Sequence, residues 1–152
     1  MNPPTTHKLI LKITRIIRAP RPRVFAAFAS IDELKKWFGP GECHVIDGQM
    51  DFRAGGNYRL GMHTSDFGQA DLTGTYHEIV PNERIRFSWA WRNNEVMEPW
   101  GEMQVTIQFS VHPDGTQVII SHEGLINEQV RDGHNFGWNG SFDKLAGCFG
   151  AA

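Results

Sequence analysis

Two histidines, His122 and His134, stand out because each falls in an apolar register. His122 shares a period-two face with Val118 and Ile120. His134 lies on a helical stripe with Val130, Trp138, Phe142, Leu145 and Phe149, at steps of four, four, four, three and four. A neutral imidazole in an apolar pocket suits acid or base work near pH 7. Neighbouring carboxylates do not orient either ring. Glu123 follows His122 on a strand, where adjacent side chains point to opposite faces. Asp132 and His134 are two apart on a helix and do not face each other. No serine occupies a nucleophile elbow, and neither Cys43 nor Cys148 has a histidine partner by spacing. His7, His44, His63, His77 and His112 stand singly, without metal-ligand spacing. Gly55-Gly56 lacks the lysine and following helix of a phosphate loop and reads as a turn. Catalysis therefore rests on the two pocket histidines alone, as a cyclase- or isomerase-like alternative. The leading expectation is binding without turnover, with no cofactor and no metal.

The residue types around these histidines suit an apolar ligand. Tyr58, Leu60 and Met62 share one strand face, and Phe87, Trp89 and Trp91 share another. Tyr76 belongs to the strand between them. With Trp138 and Phe142 on the helix, and Trp37 and Phe38 at one end, they form an expected aromatic cage containing His122 and His134. Apolar walls with a few polar groups are the usual composition of a small-molecule site. The competing expectation is that the same side chains simply fill a core. Trp138→Ala separates the two: a ligand site predicts weaker binding with the fold kept.

These residues need a helix and a sheet to hold them. Residues 127–149 predict one long amphipathic helix. Its interior carries Gly133, Gly137, Gly140 and Gly147, each costing about 1 kcal/mol relative to alanine, so either the helix is weak or something comes close to its backbone. Almost everything before it reads as strand: 8–18, 42–47, then segments through Tyr58–Met62, Leu72–Val80, Ile85–Arg92, Met103–Val111 and Val118–His122, with Gly124 breaking the last. His112-Pro113-Asp114-Gly115 makes a hairpin turn. Two short helices follow the first strand. One has Pro22 in its first turn; the other starts with the capping-box pair Ser30 and Glu33 and runs through Trp37 and Phe38. The order is that of an α+β domain, not of a parallel α/β fold. The loop at 93–102 is longer than an ordinary hairpin loop and exposes Val96, Met97 and Trp100, as a pocket lid, a homodimer contact or a chaperone contact; the competing expectation is a surface loop that tucks Trp100 into the barrel mouth.

Composition sets the outer limits. A chain of 152 residues fits one domain and buries about 70% of its unfolded surface, enough for a core without disulfides. The net charge of −2 comes without a basic block, which argues against nucleic acid. No apolar run reaches the roughly 20 residues of a membrane span. The N-terminus has no signal-like apolar core, and two cysteines are too few for a secreted disulfide framework, so a cytoplasmic protein with reduced thiols is expected. Residues 1–7, with Pro3 and Pro4, are expected to be frayed.

The ordered motifs resemble a known family. They are Arg18-Ala19-Pro20 with Val24-Phe25, Trp37-Phe38-Gly39-Pro40, Asp51-Phe52-Arg53-Ala54-Gly55-Gly56, the run from Gly74 to Ile85 (GTYHEIVPNERI), His122-Glu123-Gly124-Leu125, and Gly133-His134 with Gly137-Trp138. Together they look like the activator-of-Hsp90-ATPase-homologue (AHSA1-like) family of the START/Bet v 1-like superfamily. Phe38 stands where many relatives carry a second tryptophan. The resemblance implies a helix-grip fold, a curved antiparallel sheet of six to seven strands wrapped around the C-terminal helix. It also implies two partner classes: a small hydrophobic molecule in a cavity between sheet and helix, or an Hsp90-type chaperone in a stress-response setting. Fold alone does not choose between them.

Overall fold

The computed structural model describes residues 8–150, so the expected fraying of 1–7 lies outside the described residues. Seven strands form one antiparallel sheet in the order β1-β7-β6-β5-β4-β3-β2. They are β1 (Leu9–Ile17), β2 (His44–Met50), β3 (Asn57–Thr64), β4 (Gly68–Val80), β5 (Arg84–Arg92), β6 (Met103–His112) and β7 (Gly115–Leu125). Helices α1 (Arg21–Ala26) and α2 (Ile31–Leu34) link β1 to β2, and α3 (Glu128–Cys148) closes the order. This is the helix-grip α+β architecture: a curved sheet around one long helix. Among the described residues no helix is long and apolar enough to cross a membrane.

Local chemistry sets the element ends. The Ser30 hydroxyl accepts from the Glu33 amide and starts α2. Regular helix ends at Leu34, short of the expected Trp37 and Phe38, although the Phe38 amide still reaches the Leu34 carbonyl. The Trp37 indole instead donates to the Ala27 carbonyl at 3.0 Å, tying α2 to α1 beneath the core. Asn127 caps α3 by accepting from the Val130 amide. Strand β2 runs three residues beyond the expected 47, because Gly48 and Gln49 continue to pair with Leu60 and Arg59. Gly124 does not break β7. It takes φ of +90° and forms a bulge, with Leu9 opposite Leu125 but Ile10 opposite Glu123. A bulge bends a strand without ending it, and glycine adopts that φ without strain.

The stripe on α3 faces the sheet as its spacing requires. Val130, His134, Trp138, Phe142 and Leu145 are buried, and Phe149 is half-buried at the C-cap. The deepest core lies near the C-terminal half of α3, where Phe142 stacks against Trp37 and Trp138. Phe25, Phe28 and Phe109 pack edge to face beside them. Outside, Arg15 on β1 pairs with Asp143 at 2.8 Å and fixes the helix against the sheet edge.

Candidate functional site: a cleft at the N-terminal half of the long helix

The sheet does not enclose its main space at the centre. There Tyr58, Leu60, Tyr76, Phe87 and Trp89 interlock with Phe38 and Trp138 and leave a void of about 40 Å³. That is room for a water or two, not for a ligand. The Tyr58 hydroxyl donates to the Ser88 carbonyl at 2.6 Å, and burial pushes both Tyr58 and Tyr76 up from the ordinary tyrosine range. The larger space is a cleft of about 540 Å³ along the N-terminal half of α3. This is within the usual size of small-molecule sites.

Three segments and the helix build the cleft. The Gly39-Pro40 loop forms one wall and is pinned to α3: the Gly39 amide donates to the Ser141 hydroxyl, which donates on to the Gly137 carbonyl. Lys144 donates to the Cys43 carbonyl on the same loop. The β3–β4 tip contributes Thr64, Asp66 and Phe67, and the 93–102 loop contributes Val96, Met97 and Trp100. Asn94 joins those two. Its amide donates to the Phe67 and Gln69 carbonyls, and its oxygen accepts from the Val96 and Met97 amides. Trp100 tucks into the mouth, half-buried and edge-on to His134 and Phe67, while Met97, expected to be exposed, is buried. The loop is therefore a wall of the cleft.

The glycines on α3 have distinct surroundings. A Cβ at Gly140 would lie 2.5 Å from Pro40 Cβ and 3.0 Å from its Cα, so the close approach anticipated from the sequence is made by Pro40. Gly133 and Gly137 line the cleft, and a Cβ at Gly133 would meet nothing within 4 Å. Gly147 is also open and lies away from the cleft.

Behind the cleft the two histidines are held as neutral rings. An indole N–H only donates, so each ring nitrogen facing one must be unprotonated. Trp91 donates to His134 Nε2 at 3.2 Å, and His134 Nδ1–H donates to the Val130 carbonyl at 2.8 Å. Trp138 donates to His122 Nδ1 at 3.0 Å, and His122 Nε2–H points to Met103 Sδ at 3.1 Å. Burial holds His122 well below the usual histidine range, with nearby His134 adding to the effect. Burial also lowers His134, against an upward pull from its bond to Val130. With Nε2 occupied by Trp91, His134 has no free lone pair for general-base work. Trp89 differs from its neighbours. Its Nε1 is buried and has no acceptor.

Six residues expected at the ligand site line the cleft: Phe38, Met62, Trp89, Trp91, His134 and Trp138. Tyr58, Leu60, Tyr76 and Phe87 line only the small central void. His122 is fully buried and lines neither space, Phe142 packs in the core, and Trp37 faces a separate hollow at the C-terminal end of α3. Trp138 also carries His122, so its truncation would disturb the core along with the cleft. Sequence reading missed Pro40, Thr64, Phe67, Phe136 and Ser141. The glycine spacing on α3 was the signal for that face. Nothing in a single strand's periodicity identifies which loop tips fold over it.

Comparison with known proteins places this architecture. The family model for activator of Hsp90 ATPase homolog 1-like protein matches residues 18–150. No curated protein matches the chain. Among solved structures, a Chromobacterium violaceum protein is 26% identical with a TM-score of 0.79, over 91% of this chain and 95% of that one. An uncharacterized Rhizobium leguminosarum protein is 27% identical with a TM-score of 0.76, over 92% and 93%. The AHSA1 protein of Silicibacter pomeroyi, at 23% identity, shares the fold with a TM-score of 0.79, over 93% and 98%. The chain belongs to the activator of Hsp90 ATPase homolog 1-like family.

Proposed function

We propose that this domain binds a small apolar or aromatic molecule in the cleft and does not transform it. The observation that carries this is a space of about 540 Å³ walled by indole, phenyl and methionine side chains. Its mouth is unusually apolar. Phe136 is 72% exposed, Val96 53% and Phe67 42%, all three bordering the same opening. Exposed aromatic groups gathered at one opening mark a binding surface more often than scattered ones do. The pinned histidines support binding over acid–base catalysis, because each lone pair already accepts an indole N–H.

The test is a thermal-shift screen of apolar and aromatic compounds, with tryptophan fluorescence read in parallel, on the wild type and Gly133→Leu. Gly133 lines the cleft and a Cβ there meets nothing within 4 Å, so leucine adds bulk to that wall without a clash at its Cβ. A ligand at 100 times its Kd adds about 2.7 kcal/mol, or roughly 5–11 °C in Tm for a domain of this size. The expected result is a selective shift in the wild type that Gly133→Leu removes while its own Tm holds. A shift that persists in Gly133→Leu places the ligand elsewhere, and a flat screen favours the apolar mouth as a protein contact. Stimulation of an Hsp90-type ATPase is the assay for that second reading.

A further inference from the structure

The cleft also carries a charge signature. No lysine or arginine is among its lining residues, and its only charged side chain is the exposed Asp66 at the β3–β4 tip. Neither histidine supplies a counter-charge. His134 is the only one in the wall, and both its nitrogens are already bonded. A carboxylate taken into such a site would lose its water without gaining a cation, a cost of several kcal/mol. A carboxylate left at the mouth would face Asp66.

One buried polar group of the wall residues is without a partner, and it is a donor. Trp89 sits 4% exposed between the cleft and the inner void, 5.3 Å from the Trp138 ring and 5.8 Å from the Trp91 ring, centre to centre. Both neighbouring indoles have histidine acceptors, and Trp89 Nε1 has none. Among the described residues it is the one buried side-chain nitrogen or oxygen without a partner. A buried donor in that state is costly unless a water or a ligand group accepts from it.

Resting on the reading of the cleft as a ligand site, we infer that it selects neutral aromatic molecules bearing a hydrogen-bond acceptor, such as a ketone, ether or ring nitrogen, and rejects carboxylates. The ring packs between the indoles, the acceptor takes the Trp89 N–H, and the anionic head of a fatty acid or aromatic acid has no place in the wall.

Three probes on one scaffold test this: 2-acetylnaphthalene, 2-ethylnaphthalene and 2-naphthoate, titrated against the intact chain by tryptophan fluorescence and thermal shift. The ketone is expected to bind most tightly and the naphthoate at least about tenfold more weakly, the span of 1.4 kcal/mol. Trp89→Phe removes the ketone's advantage over the ethyl compound. Asp66→Lys, an exposed change that spares the core, raises naphthoate affinity several-fold relative to the ketone. Equal binding of all three probes, or a ketone advantage that survives in Trp89→Phe, refutes the selectivity while the site stands. Binding of none refutes the cleft as a site for aromatic ligands, and the selectivity with it.

Discussion

Acid should destabilise this fold through its two buried imidazoles. His122 and His134 face each other edge on, with ring centres 5.0 Å apart, inside a shell of Trp89, Trp91, Trp100, Trp138 and Met103. Both are shifted downward by burial, so the unfolded chain binds protons near pH 6.5 that the folded chain refuses. Stability is then full above pH 6.5 and falls as the pH drops below it. Because a ring that stays neutral in the fold loses the most, the two rings together cost at most about 3 kcal/mol between pH 7.5 and 5.5. For a chain of this length that ceiling corresponds to a fall in Tm of roughly 6–11 °C. The Glu78 carboxyl, held down by its bond to Arg84, acts in a separate window, within and below the carboxylate range. The assay is Tm against pH for the wild type and for His122→Asn with His134→Gln. These changes keep an acceptor for Trp138 and for Trp91 but cannot titrate. The double variant should lose the slope between pH 7.5 and 5.5, whatever its starting Tm. An equal slope in both proteins would falsify the assignment. So would ring-nitrogen NMR showing His134 protonated on Nε2 at neutral pH.

Two further predictions concern the frame of the cleft. Gly147→Ala should stabilise by up to about 1 kcal/mol, because the position is open and alanine is the better helix former. Gly140→Ala should destabilise by about 1–2 kcal/mol despite the same propensity gain, because its methyl would overlap Pro40 and force overpacking; paired Tm measurements decide both, and equal effects at the two sites would remove Pro40 as the reason for glycine. Asn94→Ala should release the 93–102 loop from the β3–β4 tip, cost about 1–2 kcal/mol, and open the loop to proteolysis near Val96. An unchanged cleavage pattern would show that Trp100 and Met97 hold the loop without it.

Much of the fold was legible because each element has one covered face. Period-two runs such as Ile85, Phe87, Trp89 and Trp91 identify a half-buried strand, and the four-step stripe from Val130 to Phe142 identifies the helix that covers it. Gly124 was misread because a lone glycine near a strand end signals a break and a bulge alike. The distinction lies in whether Leu9 and Leu125 keep pairing, which depends on the neighbouring strand. The cage was legible only as a set of inward-facing residues. Periodicity tells which face is buried but not whether the space between two faces is occupied. Large rings on neighbouring strands, Tyr58, Tyr76 and Phe87, meet at 5.3–6.0 Å between ring centres and consume the volume they were expected to line.

The same packing explains why the opening lies at one end. Toward the C-terminal half of α3 the helix presents Phe142 and Leu145, with Trp37 stacked on Phe142, and no gap of ligand size remains between helix and sheet. Toward its N-terminal half the helix places Gly133 and Gly137 beside the cleft, where larger side chains would occupy space. One indole from the sheet, Trp91, and one from the helix, Trp138, fix their orientation by donating across the gap to His134 and His122. These bonds hold Trp91 and Trp138 as rigid walls, which lowers the entropy a ligand must overcome to find ordered surfaces. The histidines in this account act as acceptors that set two tryptophans in place. Trp89 stands between those two with its Nε1 buried and without an acceptor of its own.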